Sequence, residues 1–332
     1  MYKLVASNKF DFVNLHMHYF GSYHGEGTPD TCGSHGNRAA VEKAKELDMG
    51  LFLISPYDKG GALYKPTKTV ALAVGEKMTP MSFASLYAWN NVGFHTISVG
   101  VARPSDFVEC YEAAMLFKDQ DRSGIVKEVN AIDERLKAIA IDKLGKEWYE
   151  KGLENIPSFY EEVSNGIGLG HILWCYNVLK AYGMYDFAKE RYKNMETFGA
   201  SWKNDDKMTF EEKCKKMSNG NPGRCLDETI DLDEVLKNHY DSSLAKERLV
   251  EIIEVLKKDT DATDEDIRKK YDAELAYDLS LWEDFPGRES LSIKAVIKQI
   301  FSRNFLGPLS KTGPNSAFTA HAASLREYYR SL

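Results

Sequence analysis

Two imidazoles one residue apart, His16 and His18, close the run Phe10-Asp11-Phe12-Val13-Asn14-Leu15-His16-Met17-His18-Tyr19. In an extended segment residues two apart project to the same face, so both rings can reach one metal ion or line a polar interior. Further on, Ser55-Pro56-Tyr57-Asp58-Lys59-Gly60-Gly61 gathers a hydroxyl, a phenol, a carboxylate, an ammonium and two glycine backbones. Gly60 and Gly61 let backbone N–H groups approach an anion and Lys59 adds a positive charge, although a loop of this composition also makes an ordinary turn. The third candidate is Gly100-Val101-Ala102-Arg103-Pro104-Ser105-Asp106. A helix starting near Pro104 places Arg103 and the first-turn N–H groups where a phosphate could sit; the alternative is a capped helix with a solvated arginine.

These groups need strands and helices to hold them. Residues 9–20 alternate with period two, Val13, Leu15 and Met17 on one face and Asn14, His16 and His18 on the other, as in a strand with one face under helices. Residues 21–37 form a loop bearing glycine and histidine that could close over that polar face. Val41 to Asp48 carries apolar residues at helical spacing and stops at Gly50; the buried strand Leu51-Phe52-Leu53-Ile54 then leads into the Ser55–Gly61 loop. A helix over Pro80–Trp89 and a strand over Phe94–Gly100 complete a third unit. Helix, buried strand and polar loop in succession is the order of a parallel α/β protein, with functional groups where strands end.

After Cys110 the strand signals stop. Ile125, Val129, Ile132, Leu136 and Ile139 mark an amphipathic helical stretch within residues 111–145, and residues 166–195 read as a helical hairpin turning at Gly183. Further helices are expected over Leu232–Leu236, Leu244–Leu256 and Asp264–Leu281, the last behind an N-cap at Thr263. The chain divides accordingly at about residue 115, into an α/β part (1–115) and a mostly helical part (116–332).

The sequence has 332 residues and a net charge of −7. That charge argues against nucleic acid or an anionic membrane as the main partner, and no apolar run reaches the roughly 18 residues of a membrane span. Cys32, Cys110, Cys175, Cys214 and Cys225 are scattered, without a C-x-x-C pair. They read as reduced thiols of a cytoplasmic protein. The start, MYKLVASNKF, shows no targeting pattern.

Taken in order, the three motifs resemble the last three βα units of the aldo-keto reductase family. Asp11–Tyr19 is similar to a sixth strand reading DF-x-Q-x-Q-x-N-Y; Pro56, Gly60, Gly61 and Leu63 match a P-x-x-GG-x-L turn after the seventh; the eighth leads into G-x-x-R-P-S-D. Residues 10–110 carry the resemblance. It implies a partial (β/α)8 TIM-type barrel followed by a helical extension, and NADP(H) at the C-terminal strand ends for reduction of a small carbonyl substrate to an alcohol. His16 would take the place of a glutamine that holds the nicotinamide amide. Ser55, Tyr57, Lys59, Gly60, Gly61 and Leu63 would run along the pyrophosphate. Gly100, Arg103 and Ser105 would meet the 2′-phosphate and Glu109 the adenine, where Cys110 replaces the usual asparagine.

The family's catalytic tyrosine, lysine, aspartate and histidine come from the first half of the barrel, which has no counterpart here, so no catalytic residue is assigned and this sequence alone is expected to be inactive. Three strands cannot close a barrel; the open edge at Asp11–Tyr19 then needs covering by the helical extension or by self-association. Two rival readings remain: a metal-dependent hydrolase using His16, His18, His24 and His35, and a non-enzymatic helical interaction protein.

Overall fold

Phe12–His16 (β1), Gly50–Ile54 (β2) and Thr96–Ser98 (β3) form a parallel sheet in the order β1-β2-β3. The computed structural model describes residues 1–20, 37–75, 77–101, 106–118, 122–203, 207–216, 223–257 and 262–276. Register pairs Asn14 with Phe52 and Phe52 with Thr96, and two residues further along pairs His16 with Ile54 and Ile54 with Ser98. The two faces differ sharply. Leu15, Leu51 and Leu53 are buried, whereas Phe12, Asn14, Thr96 and Ser98 are exposed and Phe52 and Ile54 half-buried.

The buried face is covered by helix α1 (Tyr2–Ala6), helix α2 (Arg38–Glu46) and the π-helical turn Ala88–Val92, through Val5, Val41, Ala44, Val92 and Phe94. Between β2 and β3 run α3 (Lys68–Val74) and α4 (Pro80–Tyr87). Both start where the sequence provides a cap: Thr67 accepts from the Val70 amide and Thr79 from the Ser82 amide, each satisfying an otherwise orphaned N–H.

Helices then dominate: α5 (Asp106–Lys118), α6 (Arg122–Leu144), α7 (Lys146–Lys151), α8 (Leu169–Tyr182), α9 (Tyr185–Lys203), α10 (Phe210–Lys216), α11 (Leu232–Val235), α12 (Ser242–Leu256) and α13 (Asp264–Lys270). The period read in residues 125–139 is used as expected, with Val129, Ile132 and Leu136 of α6 fully buried. Gly183 ends α8 in the left-handed conformation, which lets α9 fold back as the second arm of the hairpin. A continuous apolar core joins the segments after the strands (Phe20, Tyr57, Leu63) to α6, α8 and α12 (Ile132, Leu173, Leu249).

Two expectations are corrected. The first strand is shorter than residues 9–20, because β2 offers register only from Phe12 to His16. The last helix ends at Lys270 instead of running to Leu281. Asp272 takes a positive φ, and the chain beyond it is held by Pro66–Lys68: Lys68 N–H donates to Glu274 O at 2.8 Å and Ala276 N–H to Pro66 O at 2.9 Å. Tertiary pairing there outweighs local helix propensity. Among the described residues no helix is long and apolar enough to cross a membrane.

Candidate functional site

The C-terminal ends of β1 and β2 carry the polar groups anticipated from the sequence. His16 ends β1 on the exposed face of the sheet, half-buried, and Asn37 Nδ2, at the N-cap position of α2, donates to its carbonyl at 2.6 Å. The chain then turns inward, and His18 is buried. His16 Nδ1 and His18 Nε2 lie 3.4 Å apart, their rings edge to face. Burial first, and then the charge of Lys59, lower the basicity of His16; Asp58 opposes this and Arg191 adds to it. The ring is therefore a neutral donor and acceptor at neutral pH.

β2 leaves the sheet at Ser55, whose φ of 53° is a left-handed conformation that non-glycine residues seldom adopt. Ser55 N–H bonds to Ser98 O at 3.1 Å, tying the turn to β3. Gly60 is required for a reason that the sequence reading did not give. A Cβ there would fall 2.6 Å from His18 Cβ and would also strike the Pro56 carbonyl, so this glycine lets the loop pack directly on the histidine segment. Gly100 plays the matching part after β3, since a Cβ on it would collide with the Asp58 carboxylate. Backbone and side chain thus close in from three strand ends, and Asp58 Oδ1 is sealed there without a hydrogen-bond partner among the described residues.

Other residues of the same motifs lie in the core. Tyr57 is fully buried, its hydroxyl 2.5 Å from Ser85 Oγ and 3.7 Å from the Cys110 thiol. Burial holds the phenol well above its ordinary pKa and pushes Cys110 up to about 12. Leu63 belongs to the main apolar cluster, and Glu109 is buried on α5 with its carbonyl accepting from Ser82 Oγ at 3.1 Å. His95 stands before β3, at the opposite end of the sheet, where its Nδ1 accepts from the Leu51 amide at 2.9 Å. His24, His35, Arg103 and Ser105 lie outside the described residues. Among the described residues no set of three His, Cys, Asp or Glu side chains converges to hold a metal ion.

The helical hairpin adds residues to which the motifs did not point. Trp174 Nε1 of α8 donates to the Phe20 carbonyl at 2.6 Å, two residues past His18, and the Met184 methyl would lie 3.2 Å from a Cβ on Gly61. The hairpin therefore sits against the segments that follow β1 and β2. It brings His171, whose ring packs on Trp174 at 4.8 Å, and Arg191, whose guanidinium lies over Phe187 at 5.1 Å. Burial and then the Arg191 charge lower the imidazole of His171 to about 3. Nothing local marks either residue: Arg191 stands in the charged run KERYK, which reads as a solvated helix face. Only the packing of α8 and α9 reveals them.

The comparisons with known proteins are negative: no family model, no curated protein and no solved structure matches the chain.

Proposed function

We propose that the chain supplies the nucleotide-facing end of an aldo-keto reductase-type barrel, that it binds NADP(H) at the C-terminal ends of β1 to β3, and that this sequence by itself does not reduce a carbonyl. The observation that carries the reading is the uneven sheet. Parallel sheets are ordinarily covered on both faces. Here Leu15, Leu51 and Leu53 are buried under helices while Phe12, Asn14, Thr96 and Ser98 on the other face are exposed. Three successive parallel strands in chain order, with helices on one face and the other partly exposed among the described residues, are what three adjacent units of such a barrel would present.

The residues at the strand ends suit a phosphate-bearing nucleotide. Lys59 makes no hydrogen bond or ion pair among the described residues, and His16 is a neutral imidazole able to donate one N–H. NADPH would supply the hydride; the protein residues here bind and orient it. Tyr57, Leu63 and Glu109 enter this reading as packing under the site, since their side chains are buried in the core.

A fluorescence titration of the 332-residue chain with NADPH and with NADH tests it. Saturable NADPH binding, weaker for NADH and reduced in Arg103→Ala, is the expected result, with no carbonyl reduction above buffer. A folded chain that binds neither nucleotide overturns the reading.

A further inference from the structure

We infer that the facing ring nitrogens of His16 and His18, at the C-terminal end of β1, form a site for one divalent d-block cation such as zinc. The inference stands on the geometry of the two rings and goes beyond the nucleotide reading without requiring it.

The separation of the nitrogens comes first. His16 Nδ1 and His18 Nε2 lie 3.4 Å apart, with the rings edge to face and not stacked. A good hydrogen bond from an N–H donor is about 2.7–3.2 Å long, so this pair is too widely spaced for one. Two imidazole nitrogens on a tetrahedral zinc ion, each about 2.0–2.1 Å from the metal, stand about 3.3–3.4 Å from one another. The observed spacing is that of a chelate edge. A cation bridging the two atoms finds the rings already in place, each ring carrying its proton on the other nitrogen.

The rings are also held from behind. Asn37 Nδ2 donates to the His16 carbonyl at 2.6 Å, and register with Ile54 fixes where His16 leaves the sheet. His18 is 1% exposed, and the loop after β2 packs so closely on it that a Cβ at Gly60 would fall 2.6 Å from its own Cβ. His16, by contrast, is only half-buried, so the pair opens on its side. Ligands oriented before the ion arrives lose little freedom on coordinating it.

The donor atoms select the metal. Imidazole nitrogen suits zinc, copper and nickel, whereas magnesium and calcium take oxygen. Among the described residues no third His, Cys, Asp or Glu joins the pair. The two histidines therefore supply two positions and water or a small ligand the rest, which makes an exchangeable site and not a closed structural one.

Isothermal titration of the whole chain, free of nucleotide, with zinc chloride and separately with magnesium chloride tests the site in wild type, His16→Gln, His18→Gln and His95→Gln. His95 is exposed at the opposite end of the sheet and controls for the loss of a surface imidazole. Wild type should bind one zinc ion per chain and no magnesium. Zinc binding should weaken by at least about tenfold in His16→Gln and in His18→Gln, and stay unchanged in His95→Gln. If His18→Gln shows no cooperative melting, His16→Gln carries the test. A folded wild type that takes up no zinc, or zinc uptake unchanged in His16→Gln, overturns the site whether or not NADPH binds. Zinc binding weakened in His16→Gln by a chain that binds neither NADPH nor NADH keeps the cation site and removes the nucleotide reading.

Discussion

The indole N–H of Trp174 donates to the backbone carbonyl of Phe20 at 2.6 Å, across 154 positions of sequence. It joins helix α8 to the segment just past the His16 and His18 pair, and Trp174 is itself buried against Phe187 of α9 with ring centroids 5.5 Å apart. Trp174→Phe keeps an aromatic ring but leaves the Phe20 carbonyl without its donor. The expected loss is about 1–3 kcal/mol of unfolding free energy, read as a lower urea midpoint at unchanged slope. A midpoint equal to that of wild type would mean that the hairpin is held without this bond.

Gly60 is a packing requirement as well as a loop residue. Gly60→Ala forces its methyl group against the His18 Cβ and the Pro56 carbonyl, neither of which can yield without moving the strand end. About 1–3 kcal/mol of destabilisation is expected, with shifted ring resonances of His16 and His18 in proton NMR. Unshifted histidine resonances would show that loop and strand end are not in contact.

Tyr57 separates core from site. Tyr57→Phe removes the hydroxyl from Ser85 and Cys110 but leaves Ser85 Oγ its bond to the Met81 carbonyl at 3.1 Å. Stability should fall by about 1 kcal/mol, while NADPH titrations remain as in wild type. Weakened binding at unchanged stability would return Tyr57 to the ligand-contacting set.

His171 makes stability depend on pH with a definite sign. Its folded pKa of about 3 lies below the ordinary value of 6.5, so between these limits the unfolded chain binds a proton that the folded chain refuses. Its contribution is intact above pH 6.5 and declines as the solution is made more acidic. From pH 7 to pH 5 the loss is about 2 kcal/mol. His171→Gln has no such proton to bind, so its urea midpoint should fall less over the same interval by that amount. Parallel pH profiles for the two proteins would show that His171 titrates normally.

Much of the local structure was legible in the residues. The two-residue period foretold that Leu15 lies on the buried side of β1, though it also placed His18 on the polar face, where the chain instead turns inward; Thr263 caps its helix as expected; and the glycine at 183 turned the hairpin. These features follow from backbone geometry and short-range hydrogen bonds, which a few neighbouring residues decide. The grouping of polar residues at His16, Asp58 and Lys59 was visible for the same reason, since strand ends and the loops after them are adjacent in sequence.

What the residues did not disclose depends on contacts between distant segments. Tyr57 and Asp58 are neighbours in one loop, yet the phenol enters the core beside Ser85 while Asp58 faces Gly100. His171 and Arg191 look like ordinary helix residues, yet His171 packs on Trp174, which bonds to the Phe20 carbonyl, and Arg191 lies over Phe187, which packs on the same indole. The helix expected to reach Leu281 stops at Lys270 because the chain beyond it pairs with Pro66–Lys68. Periodicity and capping act over one or two turns of chain, so the sequence by itself determined the existence and type of most elements, while where the first strand and the last helix end was set by pairing with distant segments. Which charged groups meet at the strand ends was decided by tertiary packing, because burial and Coulomb interaction depend on distance in space and not on separation along the chain.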